Sequence, residues 1–188
     1  QLNTDSAVNV TFSDTQRRVQ LVQGEILITT GKDDLARPFY LETAQGVIHP
    51  IGTRFSVWQF SDSTQVAVLD GAVEVSTLTQ PDRVVRLDKG QQLSFDRQRI
   101  APAAALQTGQ ADWSRGVLKA DRMRIEDFAR ELSRYRPGLL RCDPAVAQLQ
   151  VSGAFQLFDT DQALNALAQV LPVAILYRTR YWVTIVPR

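Results

Sequence analysis

The apolar residues of this chain change their period near residue 100. Strands repeat every two residues and helices every 3.6, so the second half cannot simply continue the fold of the first. Before residue 100, short segments rich in Val, Ile, Thr and Phe alternate with turn signals. Candidate strands run Ala7 to Phe12, Arg18 to Leu21, Glu25 to Thr29, Phe39 to Thr43, Gly46 to His49, Arg54 to Phe60, Thr64 to Leu69, Ala72 to Thr77, Val84 to Leu87 and Gln91 to Phe95. Asp70-Gly71 between two apolar runs is the strongest hairpin signal, because both residues tolerate the positive φ of a type I′ turn. Val66, Ala67, Val68 and Leu69 alternate poorly, which predicts a strand buried on both faces. Many short strands without a helical period predict an all-β sandwich, barrel or β-roll over residues 1–99.

Residues 100–112 are rich in Ala, Gln, Pro and Gly and read as a linker with room for one helical turn. Beyond it, residues 113–188 read as a small α+β module. Ile125, Phe128, Ala129 and Leu132 line one helical face, and Leu164, Leu167, Ala168 and Leu171 repeat that spacing 39 residues later (164 − 125 = 39). Glu126 and Asp127 suit the first turn of the first helix, Arg134 and Arg136 its last turn, and Pro137-Gly138 its end. Asp159 and Gln162 suit a capping box for the second helix. Strands are expected at Val117 to Ala120, Gln148 to Gly153, Val173 to Tyr177 and Tyr181 to Val186, the last two forming a hairpin through Arg178-Thr179-Arg180. A duplicated βα unit is the simplest account.

With 44% hydrophobic residues the chain can bury a core, and a net charge of +1 argues against nucleic acid as a partner. Tyr177, Arg178, Arg180, Tyr181 and Trp182 do set aromatics beside arginines, but packing into the sheet is the plainer role for the rings. Residues 111–188 hold 11 bases, ten of them Arg, against 8 acids. That excess reads either as a solvated face or as a docking surface for an acidic partner. No apolar run approaches the roughly 18 residues of a membrane span and no signal peptide opens the sequence, so a soluble fragment or mature domain is expected.

Chemistry has few candidates. His49 is the only imidazole and Cys142 the only thiol, which excludes a zinc site built on several such ligands. His49, before Pro50, suits a structural role at a strand end, and Cys142, before Asp143-Pro144, suits a loop after the first helix. Asp33-Asp34 and Glu126-Asp127 look like a turn and a helix start. Asp159-Thr160-Asp161 lacks the Gly and distal Glu of a calcium loop. No base–nucleophile pair and no phosphate loop is evident. The expectation is a binding protein with no catalytic residues, cofactor or metal.

Several short motifs occur in a telling order. They are Gly24-Glu25, Arg37-Pro38-Phe39 leading into Thr43, Gly52-Thr53-x-Phe55, Val68-Leu69-Asp70-Gly71-Ala72-Val73 and Leu87-x-x-Gly90-Gln91, then Trp113 with Gly116-x-Leu118. Together they resemble the periplasmic domain of the FecR and PupR type of transmembrane anti-sigma regulators. Leu149 to Gly153 and Asp161-x-Ala163-Leu164-x-x-Leu167 resemble the secretin-and-TonB N-terminal (STN) module. The resemblance implies a periplasmic piece of a single-pass inner-membrane regulator, whose membrane span and cytoplasmic segment lie upstream of this sequence. It implies two partners: the N-terminal signalling domain of an outer-membrane TonB-dependent siderophore transporter, and an ECF sigma factor held by the cytoplasmic segment.

A binding edge is expected at the last strand, where Tyr181, Val183 and Ile185 face one way and Trp182, Thr184 and Val186 the other. Trp182 is the candidate anchor and Arg178 and Arg180 the rim charges, against the alternative that Trp182 lies in the core. An envelope- or glycan-binding structural module is the competing functional class.

Overall fold

The computed structural model describes all 188 residues, and the chain divides into two units, Gln1–Gln110 and Ala111–Arg188. The first unit contains β1 (Ala7–Phe12), β2 (Arg17–Thr29), β3 (Phe39–Glu42), β4 (Gly46–Gln59), β5 (Thr64–Thr77), β6 (Val85–Asp88), β7 (Gln91–Phe95) and β8 (Ala104–Ala105). Six of the expected segments have merged in pairs into three long strands, β2, β4 and β5. Each long strand exchanges neighbours midway. β2 pairs with β1 and, in parallel, with β3 through its first part, then with β4 from Gly24 onward. β5 pairs with β7 through Thr64 to Ala67 and with β6 through Ala72 to Val75, while β4 runs beside it throughout.

The exchanges fall at glycines in the left-handed region: Gly24 (φ +84°), Gly52 (φ +60°) and Gly71 (φ +77°). The β4–β5 register slips at Ile51/Arg54, opposite Asp70. Asp70-Gly71 is therefore a bulge inside one strand and not the expected hairpin turn. A positive-φ glycine serves either purpose; here both flanks keep pairing with β4 and the ribbon bends without reversing. The reversal between β4 and β5 is made at Ser61-Asp62-Ser63, where the Phe60 amide donates to the Ser63 carbonyl at 2.8 Å. Inside the bend, Leu41, Ile48, Phe55, Val57, Val66, Val68, Val73, Val75 and Leu87 are fully buried in one cluster. Ala67 is buried too, so this stretch of β5 is covered on both faces. The region expected as a linker contributes β8, which pairs with β7 through Gln91 and Gln92.

The second unit opens with a 3₁₀ turn (Asp112–Arg115) that ends at Gly116 in the left-handed conformation. There follow β9 (Val117–Arg124), α1 (Ile125–Ser133), β10 (Leu139–Cys142), β11 (Gln150–Gln156), α2 (Thr160–Val170), β12 (Val173–Thr179) and β13 (Trp182–Pro187). β9 and β11 form a two-stranded antiparallel sheet, and β10, β13 and β12 a three-stranded one. Each helix contacts one strand of each sheet. The expected apolar face of α1 is buried in full, and α2 buries Ala163, Leu164 and Leu167 with Ala168 at the margin. Phe128 of α1 meets Phe155 of β11 edge to face at 4.7 Å. Asp159 caps α2 by accepting from the Gln162 amide at 2.9 Å, which satisfies one of the four free N–H groups at a helix start.

Two expectations change here. Cys142 is the last residue of β10, a strand too short to show a period, and not part of a loop. Helix α1 stops at Ser133, so Arg136 lies beyond its last turn and is buried.

Candidate partner-binding face

β13 was the expected edge, and it is the middle strand. Leu139 to Cys142 of β10 pair with Trp182 to Ile185 in parallel on one side, and β12 pairs antiparallel on the other. Its backbone donors and acceptors are thus committed, and no further strand can add to it. The free edges of this sheet are β10 and β12.

Alternation sorts the side chains as expected within β13. Val183 and Ile185 are fully buried against the helices, while Trp182, Thr184 and Val186 point to the opposite face. Tyr181, expected to face inward, belongs to the turn before the strand and is exposed. Register carries the outer face across the sheet. Leu139 and Arg141 lie beside Trp182 and Thr184, and Leu176 and Ala174 lie beside Thr184 and Val186. Three large apolar side chains stand open there: Leu139 (40% exposed), Leu176 (46%) and Trp182 (39%). None of these outward residues is acidic. The Arg178 guanidinium sits 4.8 Å from the Trp182 ring centroid, and that of Arg180 sits 4.4 Å from the Tyr181 ring. Arg180 also donates to the Tyr181 hydroxyl. Stacking of this kind holds both partners in place while leaving the cationic edge in water.

The hairpin tip is pinned from the core side. Arg136, whose side chain is 4% exposed, donates through Nη1 to Asp161 Oδ1 at 3.0 Å and through Nη2 to the Arg180 carbonyl at 3.3 Å. Its Nε is buried without a partner. The Tyr177 hydroxyl donates to the same Asp161 oxygen at 3.0 Å. Burial, and then this bond to a carboxylate, raise the Tyr177 pKa, since both disfavour the phenolate.

Of the eight residues expected at the site, Arg178, Trp182, Thr184 and Val186 share the open face or its rim. Arg180 and Tyr181 form the adjoining tip, and Val183 and Ile185 lie in the core. Sequence reasoning missed Leu139, Arg141 and Leu176. The alternation Leu139-Leu140-Arg141-Cys142 was the only local signal for the first two. The two side chains weighed for chemistry sit elsewhere. His49 Nδ1 meets the Phe39 carbonyl at 2.8 Å. The Cys142 thiol, half-buried beside Ile185, has its pKa raised by burial and then by Asp143 and Glu126.

Residues 1–74 match the family model described as FecR protein. Two crystal structures of a protein from Parabacteroides distasonis ATCC 8503, named as a "putative anti-sigma factor", superpose on this fold with a TM-score of 0.71 each. They are 22% and 21% identical to this chain, and the matches cover all of it and 89% and 88% of theirs. At that identity the likeness is one of fold. No curated protein matches the chain.

Proposed function

We propose, from the FecR-family domain that this chain carries, that it is the periplasmic signalling portion of a transmembrane sigma-factor regulator. On this reading the second unit is an STN-like module that binds the N-terminal signalling domain of a TonB-dependent siderophore transporter. Occupancy of the transporter is then relayed to an ECF sigma factor on the far side of the inner membrane. The doubled β-α-β order supports the module, with its helices between a two-stranded and a three-stranded sheet.

The observation that carries the reading is the open face of the three-stranded sheet. An apolar centre of Leu139, Leu176 and Trp182, rimmed by Arg141 and Arg178 and without a carboxylate, suits a protein surface with an apolar centre and an acidic rim. Trp182 is the anchor. It is large, its orientation is held by Arg178, and it lies outside the buried cluster of the unit.

Titration calorimetry against the transporter's signalling domain tests this. Trp182→Ala is expected to weaken binding by about 2 kcal/mol, roughly thirtyfold in Kd, with the circular dichroism spectrum unchanged. Unchanged affinity in a folded variant would reject the assignment. Sedimentation with peptidoglycan in the absence of transporter-domain binding would instead support an envelope-binding module.

A further inference from the structure

The first unit holds a concavity that the proposed function does not use. It measures about 320 Å³ and lies where β2, β3 and β4 meet the loop after β2. Arg17, Lys32, Arg37 and His49 line it, and none of the residues lining it is acidic. Arg37 is fully engaged: Nε and Nη2 grip the Asp33 carboxylate at 3.0 and 2.8 Å, and Nη1 donates to the Ser13 carbonyl at 2.9 Å. Asp33 therefore cancels one of the three permanent cations. Arg17 spends Nε and Nη2 on the Arg37 carbonyl, at 3.2 and 3.0 Å, and keeps only a 3.8 Å approach to Asp33. Its Nη1 has no partner, and neither does the Lys32 ammonium. The other nearby carboxylates, Asp14 and Asp34, are exposed and line no part of the cavity.

His49 adds a third open group. A carbonyl can only accept, so the 2.8 Å contact with Phe39 places the proton on Nδ1. Nε2 is left unbonded within the chain. The rest of the wall is apolar, made by Pro38, Phe39 and Pro50, with Arg17 lying 5.7 Å over the Phe39 ring.

We infer that this cavity binds a phosphate monoester. Two cationic donors without partners share the cavity wall with a bare imidazole nitrogen that can only accept. A phosphate monoester monoanion matches all three, with two charged oxygens for the cations and a protonated third oxygen to donate to Nε2, whereas a carboxylate has no proton to give. The volume stands at the lower end of ligand pockets, about 300 Å³, which leaves room for a small body against the prolines and the Phe39 ring. Arg17, already held by the Arg37 carbonyl, needs little ordering when the anion arrives, and Lys32 closes on it from the exposed loop. A free metabolite and a lipid headgroup present the same ester to the cavity, and the test below separates them.

The test is a titration of the whole chain with glycerol 3-phosphate, followed by ¹⁵N chemical shifts. Saturable shifts are expected at Gly31, Lys32, His49 and Gly52, with none on adding equal sodium chloride. Lys32 is exposed and bonds to nothing else, so Lys32→Ala leaves the fold intact. It is expected to weaken binding about tenfold, the loss of one charge-assisted bond, and Lys32→Arg to restore most of it. Absence of saturable shifts, or equal affinity in Lys32→Ala, would overturn the inference. Co-sedimentation with phosphatidylcholine vesicles containing phosphatidic acid, lost in Lys32→Ala, would assign the ester to a lipid. Soluble binding without co-sedimentation would assign it to a free compound.

Discussion

Asp33 is bound by Arg37 through its side chain and its backbone amide, with Arg17 close by, and these hold its carboxyl well below the usual aspartate range. A carboxyl held low in the folded state contributes stability above its ordinary value of 3.8, and that contribution drains away as pH falls below it. Asp33→Asn should therefore lower the urea midpoint at neutral pH and flatten its decline on the acid side; parallel acid limbs in the two proteins would show the pair to be idle. Arg136 shows what single residues conceal. Its place after α1 reads as a dipole-facing base, yet it is buried and joins α1, α2 and the β12–β13 tip. Nothing local distinguishes a buried arginine from a solvated one, because the difference lies in Asp161, which the fold brings to it from the next helix.

Among the elements, the bends in the long strands are the devices most open to measurement. A Cβ on Gly71 would lie 2.4 Å from the Gly52 carbonyl oxygen, whereas one on Gly90 meets nothing within 4 Å. Both residues have positive φ, at +77° and +79°. Gly90→Ala should thus cost only the left-handed penalty, about 1 kcal/mol. Gly71→Ala should cost about 3 kcal/mol, strain and clash together. Equal losses in denaturant midpoints would mean that the bend is not closely packed. The same bends explain what was legible. Runs of Val, Ile, Thr and Phe between turn signals marked nearly every β segment in the first unit, but a glycine at a bulge has the same neighbours as one at a turn, so the segments looked separate. In the second unit the two faces of β13 were legible from period alone. Its central position was not, because it depends on a parallel partner, β10, of four residues. Three residues of the candidate face, Leu139, Arg141 and Leu176, follow from that pairing and from register, and neither is written locally.

At the scale of the molecule, two units of different construction share one chain, and the charge divides between them. Residues 111–188 carry a net +3 (11 − 8), and residues 1–110 a net −2 (10 − 12). Unlike charge at a binding rim raises association rates and excludes wrong partners, so the arginine-rimmed sheet of the second unit is where an acidic partner is expected to land. The FecR-family match lies in the first unit, and the gripping surface we propose lies in the second. Chemical-shift mapping of the whole ¹⁵N-labelled chain, titrated with the transporter's signalling domain, examines that division directly. We expect perturbed amides on β10, β12 and β13, centred on Leu139, Leu176 and Trp182, with residues 1–110 unmoved. Shifts confined to residues 1–110, or none at saturating partner, would contradict it.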